Sequence, residues 1–206
     1  MIRIALLGAA LALVSGVAVA QSSDLPPGVF MGGKDLADAR AGTYAIDPDH
    51  SAVLARVQHI GYSWSVFRFD RVSGKLTWDP AAPEKSTLSV AVVVESITSN
   101  VKGFASELAG DSYLKAAKFP EATFVSTAFR RSDATHGLVD GQFTLMGITK
   151  PVTFEVELVG AGKGWADMPR LGVHAVAGIV PTDFGLPALF GKTIEIVVDT
   201  EFQRTP

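Results

Sequence analysis

From residue 43 onward, apolar and polar positions alternate with a period of two. In "GQFTLMGITKPVTFEVELVG", Gly141 to Gly160, Val152, Phe154, Val156 and Leu158 alternate with Thr153, Glu155, Glu157 and Val159. Just before them, Phe143 and Leu145 alternate with Gln142, Thr144 and Met146. A strand sends successive side chains to opposite faces, so this stretch reads as a hairpin with one apolar face. The same period predicts strands over 43–47, 52–59, 66–69, 74–78, 87–95, 122–130, 137–145, 152–158, 172–180 and 193–202. Between 99 and 118 the pattern changes. Phe104 and Leu108 stand at helical spacing, which predicts a short helix over 104–108 and a looser turn over 113–117. Pro120 ends it, because proline cannot continue a helix.

Eight or more short alternating strands make an all-β antiparallel barrel or a sandwich. A sandwich fills its two apolar faces with each other. A closed barrel of about eight strands is just wide enough to hold one small ligand. Alternation alone does not separate the two.

The 206 residues include a first segment that does not belong to this pattern. "MIRIALLGAALALVSGVAVAQSS" has a basic residue at Arg3, an apolar run from Ile4 to about Val14 and a small-residue end at Ala18, Val19 and Ala20. This is the layout of a secretory signal peptide, residues 1–20, with cleavage expected after Ala20. In a Gram-negative cell the destination is the periplasm. Residues 21–42 are rich in Gly, Pro, Asp and Ala and read as a flexible lead-in with one short helix. The domain proper is expected over 43–206.

The chain has no cysteine, so an exported form must be held by its core rather than by disulfides. It also has no thiolate metal site and no lipidation thiol at the cleavage point. Net charge is −3, and no basic stripe marks a nucleic-acid or polybasic lipid grip.

The four histidines are the natural candidates for catalysis or metal binding: His50, His59, His136 and His174. His50 and His59 are nine apart, so a straight strand places them on opposite faces, which is poor ligand geometry. His136 sits in a polar turn and His174 is isolated, so no metal site is expected. Asp47-x-x-His50-Ser51 reads as a turn, with His50 expected to find a fixed partner in Asp47. No nucleophile elbow or phosphate loop occurs.

Several stretches carry a resemblance. "YAIDPDHSAVLARVQHIG", with Tyr44, Ile46, Asp47, His50, Ser51, His59 and Gly61, resembles the opening motif of the YceI-like family. "GKLTWDP", "VESI", "YLKAAKFPEATFVST", "GQFTLMGITKPVTFEVEL" and "TDFGL" follow in the family's order and spacing, so the resemblance runs from about Thr43 to Phe202. It implies an antiparallel eight-stranded lipocalin-like barrel with a short helical cap, usually exported, that binds polyisoprenoid or quinone-like lipids in an elongated apolar lumen. The hairpin's apolar face would look into that lumen.

On this reading the candidate lumen residues are Phe67, Phe69, Leu88, Val90, Val92, Phe124, Phe143, Leu145, Phe154, Val156, Ile194 and Ile196. Phe104 and Leu108 of the cap and Phe184 of "TDFGL" join them. Asp47, His50, Ser51 and His59 form a structural motif, and no cofactor is expected beyond a bound isoprenoid lipid. The implied partners are an apolar isoprenoid-type ligand and a transient contact with a membrane or lipid donor, in a monomer or homodimer. A cluster of exposed Trp64, Trp78 or Trp165 would point to the dimer.

This chain also departs from the family pattern. Phe67 stands where the family commonly has Gly, so a narrower or shorter lumen is expected. "FASEL" replaces a family Arg-Asp-x-His-Leu, and Pro181 replaces an Arg before the Asp-Phe-Gly motif. Without those arginines a pyrophosphate head group loses its partners, which favours a neutral, quinone-like ligand. The rival readings are a barrel-mouth enzyme using His50 or His59 as acid or base, and a structural module with a filled core.

Overall fold

The computed structural model describes residues 26–164 and 167–206. The expected leader, residues 21–25 of the lead-in, and Trp165 lie outside the described residues. Ten strands form one antiparallel sheet: β1 (Gly42–His59), β2 (Ser63–Phe69), β3 (Val72–Trp78), β4 (Thr87–Val93), β5 (Ile97–Thr98), β6 (Glu121–Arg131), β7 (His136–Leu145), β8 (Ile148–Gly162), β9 (Arg170–Ile179) and β10 (Ile194–Arg204). β10 pairs with β9 on one side and with β1 on the other, which closes the sheet into a barrel.

The wall is eight strands around. β2 and β3 follow each other along β1, β2 against its second half and β3 against its first. β4 and β5 repeat this, pairing with β3 and β2 in turn. The ten segments therefore build an eight-stranded antiparallel barrel. Its inner face is the apolar half of the alternation. Along β8, Phe154, Leu158 and Ala161 are buried while Thr153, Glu155 and Val159 are exposed.

Several strand ends move by up to four residues and β5 is an addition to the expected set, but two boundaries change in kind. Segments 43–47 and 52–59 are one strand, whose register with β10 shifts between Asp47 and Ser51. Pro48 and its polar neighbours look like a turn in sequence. Here they form a bulge that leaves the ladder without ending it. The strand expected over 87–95 stops at Val93. There the Ser96 hydroxyl donates to Val93 O at 2.6 Å and accepts from the Arg71 N–H at 3.1 Å, which winds Val94–Ser96 into a 3-10 turn.

The barrel's ends differ. One is capped by helix α1 (Phe104–Ala109), by the turn holding Tyr113 and Leu114, and by the loop between β9 and β10. Leu108 is the buried residue of α1 and packs into the core beneath it. The other end carries the β3–β4 and β6–β7 connections and the lead-in. The lead-in is tied down from Gly33 onward, where a flexible segment was expected. Gly33 exchanges two backbone hydrogen bonds of 2.8 Å with Ala161. Lys34 pairs with Glu157 at 2.8 Å, and the Trp78 indole donates to Ala39 O at 3.0 Å. A glycine at 32 permits this approach, because a Cβ there would stand 3.2 Å from the Gly160 backbone.

Candidate functional site

The apolar face of the β7–β8 hairpin looks into a lumen of two adjoining chambers. The larger holds about 220 Å³ and the smaller about 100 Å³. Val53, Val92, Ala122, Phe143 and Ile196 belong to the walls of both, so the chambers meet end to end at a ring of these side chains.

The larger chamber takes Leu88, Val90, Phe124, Phe154 and Val156 from the expected set. The smaller takes Phe67, Phe69, Leu108, Leu145 and Ile194. Val92, Phe143 and Ile196 serve both. Phe104 and Phe184 are the exceptions, lining neither chamber. Each stands behind a wall residue: the Phe104 ring lies 5.9 Å from Phe67, and Phe184 meets Phe143 edge-on at 5.4 Å. Both rings were expected to line the lumen, but those of Phe67 and Phe143 already occupy the wall in front of them.

The sequence reading missed Ile46, Leu76, Trp78, Phe129, Leu171 and Phe202 of the larger chamber, and Leu114, Leu186 and Phe190 of the smaller. Phe202 carried the right signal, since it stands between Glu201 and Gln203. Leu186 and Phe190 sit in a loop where no period exists to find them.

Charge is confined to one rim. Arg130, Arg131, Asp133 and His136, at the β6–β7 turn, border the larger chamber. Arg130 is held by Asp140 through two contacts of 2.7 Å, and Arg131 Nε donates to Asp133 O at 2.6 Å. The Asp133 carboxylate accepts from the Thr135 and His136 backbone N–H groups, each at 2.8 Å. These bonds, with that of the His136 ring, bring its pKa down to about 2. The smaller chamber has no charged residue in its wall.

The Asp47 motif lies on the outside of the bulge. The His50 ring is 3.0 Å from Asp47, as expected. Ser51 is buried, donates to Asp47 O at 2.7 Å and lies 2.6 Å from the Thr200 hydroxyl. Neither His50 nor His59 lines the lumen, and both are exposed. They do not converge on the mouth as the enzyme reading requires. Asp47, His50 and Glu201 bring ligand atoms within 4.8 Å of one another. That space already holds a cation, because Arg170 donates to Asp47 and to Glu201 at 2.7 Å each.

Burial raises the Asp47 pKa, but the hydrogen bonds from His50, Arg170 and the Asp49 N–H outweigh it and leave the carboxyl below its ordinary value. A depressed carboxylate stabilises the fold above its unfolded pKa of about 4, and that contribution is lost as pH falls through the lower folded value. Chemical denaturation between about pH 5 and pH 2 should show stability falling with acid. The fall should be smaller in Asp47→Asn. An identical acid slope in the variant would assign the loss elsewhere.

Trp64 lies on the outer face near the capped end, whereas Trp78 lines the opposite end beside Phe129. The two do not form the cluster that would have pointed to a dimer.

A closed antiparallel barrel around an apolar lumen, open towards a polar rim, defines a lipocalin-like architecture. Residues 44–202 match the model of the YceI-like domain, and the chain belongs to that family. It is 35% identical over 167 residues to a UPF0312 protein of Pseudomonas putida (strain W619), covering 79% of this chain and 87% of that relative. A UPF0312 protein of Yersinia pestis (strain Pestoides F) is 33% identical over 168 residues, with the same coverage. Among solved structures, BcnA of Burkholderia cenocepacia superposes with a TM-score of 0.68 at 21% identity, over 76% of this chain and 98% of that one. A polyisoprenoid-binding domain from Saccharophagus degradans superposes with a TM-score of 0.61 at 13% identity, over 81% of this chain and all of the other.

Proposed function

We propose that this protein is an exported carrier that sequesters or ferries a neutral, isoprenoid-type lipid, with a quinone as the favoured class. The observation that carries the reading is the two-chamber lumen, with apolar walls and charge confined to one rim. Each buried methylene contributes about 0.8 kcal/mol, so one five-carbon unit contributes roughly 3–4 kcal/mol. A few units suffice for micromolar binding after the cost of association. The polar rim suits a head group that needs hydrogen bonds. The Asp140 and Asp133 carboxylates engage Arg130 and His136, and the Asp133 backbone carbonyl accepts from Arg131, which favours a neutral head over a pyrophosphate. The similarity to a polyisoprenoid-binding domain supports the ligand class, and the leader at 1–20 supports export to the periplasm with cleavage after Ala20.

Native mass spectrometry of the protein purified from its own compartment, followed by organic extraction, tests this. A stoichiometric apolar passenger of isoprenoid mass is expected, on a chain beginning at Gln21. A protein that stays empty after incubation with prenyl lipids and quinones would sink the carrier reading. Preference for a prenyl pyrophosphate over a quinone would sink the neutral head group.

A further inference from the structure

The β1–β2 hairpin extends past the barrel. β10 accompanies β1 only as far as Val57 opposite Ile194, while β1 and β2 stay paired to His59 and Ser63. The segment 58–64 is therefore a free tip at the capped end. Its turn residues are Ile60, at φ 51°, and Gly61, at φ 81°. A turn whose two central residues both have positive φ prefers Asn, Asp or Gly there, and a β-branched residue in the left-handed region is strained. Packing does not ask for isoleucine there, since Ile60 is 80% exposed and Tyr62 is 90% exposed. Trp64 follows, half exposed, with the Arg56 guanidinium 5.1 Å over its ring.

The same segment carries no acidic residue of its own. In a chain of net charge −3, residues 52–69 include Arg56, His59 and Arg68 and no Asp or Glu. The facing acids are Glu195 on β10, paired with Arg56, and Asp70 just past β2, paired with Arg68. We propose that this tip is a membrane-docking device. Ile60, Tyr62 and Trp64 enter the headgroup layer of an anionic bilayer, with Arg56 and His59 beside them.

The shape selects the occupant. Three side chains on a convex tip bury far less than the roughly 1,000 Å² that a stable protein interface needs. The same side chains suit a fluid interface, where Trp and Tyr place an apolar body inward and a polar edge outward. Shallow insertion with electrostatic attraction gives reversible attachment, as a carrier that loads at a membrane requires. The purpose of the device rests on the carrier reading, but its test does not.

Sedimentation with vesicles of phosphatidylcholine and about one-third phosphatidylglycerol, free of isoprenoid, measures the contact directly. The protein should sediment with the vesicles, less so at high salt, and Trp64 emission should shift to the blue. Ile60→Asn with Tyr62→Ser relieves the turn and removes the insertion, so it should fold normally and partition about tenfold less or weaker still. A protein that ignores the vesicles, or a variant that binds them equally, overturns the proposal. So does a tip-dependent self-association in sedimentation equilibrium, which would make the occupant a second copy. Uptake of geranylgeraniol from a cyclodextrin complex reports separately on the lumen. Failure there with vesicle binding intact faults the carrier reading alone.

Discussion

Ala122→Phe is expected to split the lumen in two. Ala122 belongs to the walls of both chambers and pairs across β4 with Val92, which does the same. A phenyl ring from this position would enter empty space rather than packed core, so the fold should keep most of its stability. A long isoprenoid, however, would lose access to the smaller chamber. Forfeiting even one five-carbon unit removes roughly 3–4 kcal/mol of burial, or two to three orders of magnitude in affinity. A short chain that fits the larger chamber should bind as before. Calorimetric titration with a short and a long prenyl alcohol separates the cases. Equal losses for both would mean that the ring distorts the barrel. No loss for either would mean that ligand never crosses the ring of side chains joining the chambers.

The second large effect concerns Gly141 on β7. Its partner on β6 is Ser126, next to a register shift between Ser126 and Ala128. The Phe124 ring lies over the glycine: a Cβ there would stand 2.3 Å from Phe124 Cζ and 2.6 Å from the Val125 carbonyl oxygen. The ring cannot simply move aside, because it meets Phe154 edge-on at 5.0 Å and forms part of the larger chamber's wall. Gly141→Val should therefore destabilise the fold by about 3 kcal/mol, lowering the melting temperature by roughly 10 °C. Phe124→Leu should recover part of that loss when added to Gly141→Val, because the two sites share one volume. Strictly additive effects in denaturant melts would rule out the ring-over-glycine explanation.

Much of the wall was legible in the chain because the period of two is local. Leu88, Val90 and Phe154 point inward for the same reason that Glu155 points outward. The bulge after Asp47 was not legible, because Pro48 and Asp49 carry the same chemistry in a turn and in a bulge. The Arg170 bridge to Asp47 and Glu201 was invisible too. It depends on a register between strands far apart in sequence, which no local pattern reports. Phe104 and Phe184 show the opposite failure. Their positions near the lumen were right, but whether a ring forms the wall or backs it depends on which neighbour arrives first in space.

The seam between β1 and β10 has a consequence for when the lumen forms. Tyr44 pairs with Arg204 and Val57 with Ile194, so the partners that close the barrel come from opposite ends of the chain. Closing such a loop is entropically costly and slow, and the growing chain gains nothing from it until its last strand exists. A chain cut short of β10 would present an open, sticky sheet edge on β1 and no lumen at all. The lumen thus forms in one step, with β10.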